Sequence, residues 1–164
     1  AETPDAEFNR LKDCRYGKML YNVNDMYIGR SLDLYGEFSE GEVEVFRQIV
    51  RPGDIVLDIG ANIGAHTVFF AKATGPTGGV LAFEPQRLVF QVLCANMALN
   101  NLSNVWCFQQ ALGESPGGIL VPALDPRMSN NFGGLELDGS AAPGAAGDTV
   151  PMIWVDSLSL PSAG

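Results

Sequence analysis

One stretch constrains the fold of this chain more than any other: Gly53-Asp-Ile-Val-Leu-Asp-Ile-Gly-Ala-Asn-Ile-Gly-Ala-His-Thr67. A short apolar run, Ile55-Val56-Leu57, ends on an acid, Asp58. A glycine-punctuated turn follows, Gly60-Ala61-Asn62-Ile63-Gly64, and Ala65 to Ala73 then reads as a helix. Strand, tight turn and helix in that order make the first βα unit of a parallel sheet. Glycine reaches positive φ and leaves no Cβ between backbone and ligand. The helix N-terminus behind it offers free N–H groups and the positive end of the dipole. The turn therefore reads as a cradle for a nucleotide cofactor.

A second signal narrows the cofactor. Gly79-Val-Leu-Ala-Phe-Glu84 is another apolar strand ending on an acid, with Pro85 after it. An acid at the tip of the second strand of a βαβ unit is placed to accept hydrogen bonds from a ribose 2′,3′-diol. NAD and S-adenosylmethionine both carry that diol, so Glu84 alone does not choose between them. The turn does. A dinucleotide fingerprint reads G-x-G-x-x-G so that bare backbone can approach a pyrophosphate, whereas here Asn62 holds the middle position and Ala65 the last. An acid just before the turn, Asp58, suits a sulfonium with an amino-acid tail and would repel a phosphate. The expected cofactor is S-adenosylmethionine, with NAD as the alternative.

The rest of the chain is consistent with one α/β unit. Residues 1–15 are polar and read as a loose lead-in. Met19-Leu-Tyr-Asn-Val23 and Met26-Tyr-Ile28, joined at Asn24-Asp25, read as a hairpin. Ser39-Glu-Gly-Glu42 has capping-box spacing ahead of a helix carrying Phe46, Ile49 and Val50, which Pro52-Gly53 stops. A further helix spans about Arg87 to Leu99, with one apolar stripe at Leu88, Val92, Ala95 and Leu99 and a second at Val89, Leu93 and Met97. So wide an apolar arc packs against a sheet, and Asn100-Asn101 suit its end. Val105-Trp-Cys-Phe108 is the third strand, so the order implies a parallel sheet with right-handed crossovers. From Gly113 to about Asp148 the composition shifts to Gly, Pro, Ala and Ser, which predicts loops and a hairpin at Ile119-Leu-Val121. Met152-Ile-Trp-Val155 reads as one more strand.

Composition excludes several classes. At 164 residues the chain has the length of one domain, and a formal net charge of −9 argues against nucleic acid, whose phosphates need a basic footprint. No run of about 18 apolar residues is present to span a membrane. Cys14, Cys94 and Cys107 lack metal-ligand spacing, and Cys94 and Cys107 read as small core residues. No metal site is expected, and a cytoplasmic location fits the free thiols.

Asp58-Ile-Gly-Ala-Asn-Ile-Gly64 and Phe83-Glu84-Pro85, followed by Asn96 and Gln110-Ala-Leu-Gly113, resemble the FkbM family of S-adenosylmethionine-dependent methyltransferases. Tyr35-Gly-Glu-Phe-Ser-Glu40 resembles the lead-in of that family, and Ser129-Asn-Asn-Phe-Gly-Gly134 a segment near its active-site mouth. The resemblance implies a Rossmann-like class I methyltransferase fold, a parallel sheet with flanking helices preceded by a β-hairpin. On this reading residues 1–34 are lead-in and hairpin, and residues 35–164 the cofactor-binding domain. It further implies O-methylation of a hydroxyl on a small molecule, a sugar or natural product. In the family a strand reading roughly I-K-I-D-V-E-G follows Asp-Ser-Leu shortly afterwards. No such segment occurs here, so the resemblance implies a sheet cut before its central strand and an isolated fragment that could be non-catalytic.

Each site residue has a functional and a plain reading. Asp58 recognises the methionine end of the cofactor through a water or its amino group, or only caps the turn. Gly60 and Gly64 shape the cradle. Asn62 hydrogen-bonds the turn backbone or meets the methionine carboxylate. Glu84 takes the ribose. Gln110 and Ala111 lie near the adenine, or are a solvated strand end. His66, in the first turn of a helix whose dipole favours neutral imidazole, is a candidate base or a packing residue. Asn130 and Asn131 are candidates for substrate contact. Tyr35, Phe38 and Glu40 form a lid over the cofactor or simply start a helix.

Overall fold

The computed structural model describes residues 7–135, 137 and 146–159. Its centre is the βαβαβ unit that the glycine turn implies. Strand β3 (Ile55–Ile59) leads through the turn into α3 (Ala65–Thr74), then β4 (Gly79–Phe83), α4 (Arg87–Leu99) and β5 (Val105–Phe108). The strands pair in parallel in the order β3-β4-β5, with Asp58 opposite Ala82 and Ala82 opposite Cys107. Side chains alternate across a strand, so Val56, Val80, Ala82, Val105 and Cys107 share a face, which packs against Phe69 and Phe70 of α3 and Leu93 and Met97 of α4. The other face carries Ile55, Ile59 and Trp106, which are 37%, 54% and 52% exposed. Among the described residues β3 is hydrogen-bonded on its β4 side alone.

Helix α4 turns its second apolar stripe inward: Val89, Leu93 and Met97 are buried, whereas Leu99 is exposed. Asn96 is buried on that same face with no exposed surface. It is satisfied by strand β2 (Gly17–Asn22), accepting from Leu20 N–H at 2.7 Å and donating to the Leu20 carbonyl at 3.0 Å and the Ile63 carbonyl at 2.7 Å. One turn later Asn100 repeats the pattern on Lys18, accepting from its N–H at 2.9 Å and donating to its carbonyl at 2.7 Å. Residues four apart on a helix thus meet residues two apart on a strand and satisfy the peptide groups at its edge.

That strand belongs to a hairpin other than the expected one. β2 pairs antiparallel with β1 (Asn9–Cys14), not with Met26-Tyr-Ile28, and the turn falls at Arg15-Tyr16. The lead-in expected over 1–15 is therefore strand from Asn9 onward, and its first six residues lie outside the described residues. Ile28 instead opens helix α1 (Ile28–Tyr35), which buries Ile28 and Leu32. The Asp25 carboxylate, 4% exposed, accepts from Tyr27 N–H and Gly29 N–H, and that local bonding turns the chain into a helix where an extended strand was expected.

Helix α2 (Glu40–Ile49) begins after Ser39 as expected, but without the capping box: Ser39 is left-handed at φ +51° and its side chain makes no cap bond. A second sheet completes the fold. β7 (Gly117–Pro122) pairs antiparallel with β8 (Gly147–Ile153), and β8 pairs in parallel with β6 (Ala111–Leu112). The expected strand at Met152–Val155 thus starts earlier and stops at Ile153, and Val155–Ser157 is a single 3₁₀ turn. Of the loop expected up to Asp148, residues 136 and 138–145 lie outside the described residues, as do residues 160–164 at the expected cut.

Asn96→Ala strands the Leu20 N–H and carbonyl and the Ile63 carbonyl together. At roughly 1 kcal/mol per buried group left unpaired, the expected loss of stability is about 3 kcal/mol, read from the urea midpoint. A loss below about 1 kcal/mol would mean that apolar packing, not this amide, holds the hairpin.

Candidate functional site

The glycine turn crosses the end of β4. Gly60 N–H and Ala61 N–H both donate to the Phe83 carbonyl, at 3.0 and 2.9 Å. Gly60 has φ +77° with open space where a Cβ would stand. Gly64, at φ +87°, is needed for packing as well, since a Cβ would come within 2.7 Å of Met97 and 2.8 Å of Leu93. Asn62 sits between them at φ +51°, a left-handed conformation that asparagine tolerates. Its Oδ1 accepts from Ile63 N–H at 2.8 Å, so its carbonyl oxygen serves the turn backbone.

Glu84 is the most constrained polar group in the site, at 3% exposure. Its Oε2 accepts from Asn62 N–H at 3.0 Å and its Oε1 from Gln86 N–H at 2.9 Å. Burial raises its pKa from 4.5 to about 7, against the pull of those two N–H groups and with a small push from the Asp58 charge. Asp58 is also raised by burial, opposed by the Thr67 hydroxyl, which donates to its Oδ2 at 2.6 Å, and by the neighbouring His66. The first acid thus fastens helix α3 to strand β3, and the second fastens the turn to the start of α4.

A crevice of about 320 Å³ opens at the carboxyl ends of these strands, within the size range of small-molecule sites, roughly 300–1,000 Å³. Gly60, Asn62, Glu84, Gln110 and Ala111 all line it. The rest of its wall includes Gly133, Leu135 and Leu137, with Ile119 and with Met152, the parallel partner of Ala111. Asp58 and Gly64 stand behind the lining. The crevice lining mixes apolar side chains with the Glu84 carboxylate and the side-chain amides of Asn62, Gln86 and Gln110, and no group of histidine, cysteine and carboxylate side chains suited to a metal ion occurs among the described residues.

The remaining candidates fall elsewhere. His66 is wedged between α2 and α3, its ring 5.5 Å from Phe38 and 5.4 Å from Phe46, with Nε2 buried and 3.7 Å from the Glu42 carboxylate. Phe38 packs on that ring. Glu40 accepts from the Tyr16 hydroxyl at 2.5 Å, and Tyr35 is 74% exposed. None of Tyr35, Phe38 and Glu40 lines the crevice: Tyr35 ends α1, Glu40 begins α2, and Phe38 lies in the link between them. Asn130 is spent on structure: its backbone bridges Asn24 and Met26 and its Oδ1 accepts from Asn131 N–H. Asn131 packs against Gly134. The residue of that island that does reach the crevice is Gly133. Gln86, Leu135 and Leu137 were not singled out from sequence, whereas Gly133 lies in the island that resembles a segment near the active-site mouth. Leu135 and Leu137 belong to no local pattern, and Gln86 carries no motif beyond following Glu84-Pro85.

Among known proteins, methyltransferase sdnD of Sordaria araneosa is 41% identical over 63 residues, 38% of this chain and 24% of that protein. The 31-O-demethyl-FK506 methyltransferase FkbM of Streptomyces tacrolimicus is 49% identical over 47 residues, 29% of this chain and 18% of that one. The matched segments thus span about a quarter or less of these curated relatives. No protein-family model matches the chain. Among solved structures, M. jannaschii TYW2 in complex with AdoMet superposes with a TM-score of 0.51 at 19% identity, covering 73% of this chain and 64% of that one. No helix among the described residues is long and apolar enough to cross a membrane. The chain has the class I methyltransferase fold, and its similarity to methyltransferases that include FkbM bears out the resemblance carried by its turn and its Phe-Glu-Pro strand end.

Proposed function

We propose that this chain binds S-adenosylmethionine in the crevice above β3, β4 and β5 and serves methyl transfer to a hydroxyl of a small molecule, a sugar or natural product. The observation that carries the reading is the Glu84 carboxylate. Each of its oxygens already accepts one backbone N–H, which fixes the group in place. An ionised carboxylate has about four acceptor positions, so one on each oxygen is left for the two hydroxyls of a ribose. The size of the crevice, its apolar wall and the bare backbone at Gly60 support a flat nucleoside beside that diol.

The cofactor supplies an electrophilic methyl group on a sulfonium centre. The chain's own residues bind and orient. Gln110 and Ala111 border the space for the adenine, together with Leu135 and with Met152, which pairs with Ala111 in the same sheet. Asp58, behind the lining, acts on the positive amino-acid end by its charge and through a water. Asn62, with its Oδ1 committed to the turn, offers its Nδ2 to the cofactor's carboxylate. His66 is assigned no proton transfer, since its Nε2 faces Glu42 between two helices. Catalysis of this kind rests on proximity and orientation. The net charge of −9 favours a small acceptor over a nucleic acid.

Titration with S-adenosylhomocysteine, with NAD as control, tests the cofactor. Binding of the first alone is expected, and NAD binding equally well or better would overturn the reading. Charge-assisted hydrogen bonds contribute about 1.5–3 kcal/mol each. Glu84→Ala and Glu84→Gln, checked for intact fold by circular dichroism, should therefore weaken S-adenosylhomocysteine at least about tenfold. The pH profile gives an independent check. The ribose hydroxyls donate to the ionised form of a carboxyl that burial raises to about 7. Affinity should rise through pH 7 and fall by up to about tenfold per pH unit below it, and Glu84→Gln should flatten that slope. A flat profile in the unsubstituted protein would separate Glu84 from the ligand.

A further inference from the structure

Gln86 occupies the N-cap of α4, at φ −73° and ψ 116°, yet makes no side-chain cap bond. Serine, aspartate and asparagine favour that position because their short side chains return to the first turn of the helix. The longer glutamine reaches away from its helix instead: Nε2 donates to the Phe132 carbonyl, 46 residues on, at 2.6 Å. Phe132 is buried in the main core, and the next residue, Gly133, lines the crevice. Gly133 also rests on the turn, since a Cβ there would stand 3.3 Å from Asn62 Nδ2. The outer half of the same loop is held from the hairpin side, where Asn22 and Asn24 donate to the Pro126 carbonyl at 2.8 and 3.0 Å and the Asn24–Met26 turn bridges Asn130. Gln86 ties the inner half.

We propose that Gln86 is a positioning residue for the nucleoside end of the cofactor: its backbone N–H fixes Glu84 Oε1 while its side chain fixes the Phe132–Leu135 segment of the wall, so one residue sets the shape of the crevice at the ribose. The proposal rests on the cofactor reading above and adds to it a lining residue that the turn and the strand-end acid do not include. The backbone N–H survives any substitution except proline, so a side-chain change moves the wall and leaves the Glu84 bond in place.

Two substitutions separate positioning from stability. Gln86→Ser supplies a preferred helix cap but cannot reach Phe132. Gln86→Met keeps the length and loses the donor. Calorimetric titration of the unsubstituted chain and both variants should use S-adenosylhomocysteine and, separately, adenosine. Gln86→Ser should melt at or above the temperature of the unsubstituted protein. Both variants should bind both ligands about five- to tenfold more weakly, the loss expected for one hydrogen bond. Equal loss for adenosine places the effect at the nucleoside. Faster amide exchange at Gly133 in both ligand-free variants reports the released wall independently. Affinities within twofold of the unsubstituted protein in a folded variant would overturn the proposal. So would a loss confined to S-adenosylhomocysteine, because it would place the effect at the methionine end. Failure of the cofactor reading looks different: the unsubstituted chain would bind neither ligand, and this proposal would fall with it.

Discussion

The structure turns on a carboxylate kept out of water. Glu84 ends a buried strand, where an acid without partners would be strongly unfavourable. The two N–H groups that receive it come from two different connections, the β3–α3 turn and the start of α4. One carboxylate therefore sets the distance between both loops that border the crevice. The donors do not fully offset burial, and the raised pKa records the difference. Because the folded pKa lies above the unfolded value, the group's contribution to stability is present below about pH 4.5 and is lost as pH rises through about 7. At neutral pH the ionised carboxylate is held under electrostatic load, which further hydrogen-bond donors would relieve. Relief of that kind is a source of binding energy that a solvated acid could not provide.

The βαβαβ unit was legible because each element carries its own local signal. Ile55–Leu57 and Val80–Phe83 are apolar runs bounded by glycine, and α4 shows its helical period plainly. What sequence missed has a common physical cause. β1, Asn-Arg-Leu-Lys-Asp-Cys, is exposed along most of its length and has no alternation to read. A partner for β2 was sought after Asn24-Asp25, since those are turn residues, but the Asp25 carboxylate accepts from N–H groups at the start of α1 and makes a helix there. The capping box at Ser39–Glu42 had the right spacing and the wrong backbone conformation, since a left-handed residue aims its hydroxyl away from the helix.

The site shows the same division. Asp58, Gly60, Asn62, Gly64 and Glu84 were visible because the strand-turn-helix pattern demands them at fixed spacing. Gln110 and Ala111 were visible through the ends of strands already identified. Leu135 was not, and Gly133 entered only through an island resembling an active-site-mouth segment, because that loop owes its place to hydrogen bonds spanning very different sequence separations. Pro126 is held by asparagines more than a hundred residues earlier, and Phe132 by Gln86. Such contacts leave no periodicity. Asn130 and Asn131 drew attention in an island resembling an active-site-mouth segment, yet neither lines the crevice, and the Asn130 Oδ1 accepts from a backbone N–H of its own loop.

Asn96 joins the stability of the molecule to the shape of its site. Its amide donates to the Ile63 carbonyl inside the glycine turn while also holding the hairpin strand at Leu20. Gly64, the last residue of the same turn, lies against Met97 and Leu93 on the same helix face, with no room for a side chain between them. The turn is therefore seated on α4 from beneath and tied to Glu84 from above. A turn of left-handed residues has little to hold it in place by itself. Here the buried asparagine, the close glycine contact and the carboxylate fix it from separate directions, so its free backbone faces the crevice in one arrangement. That explains why a residue facing the hairpin, far from the lining, occurs among the motifs that mark the cofactor site.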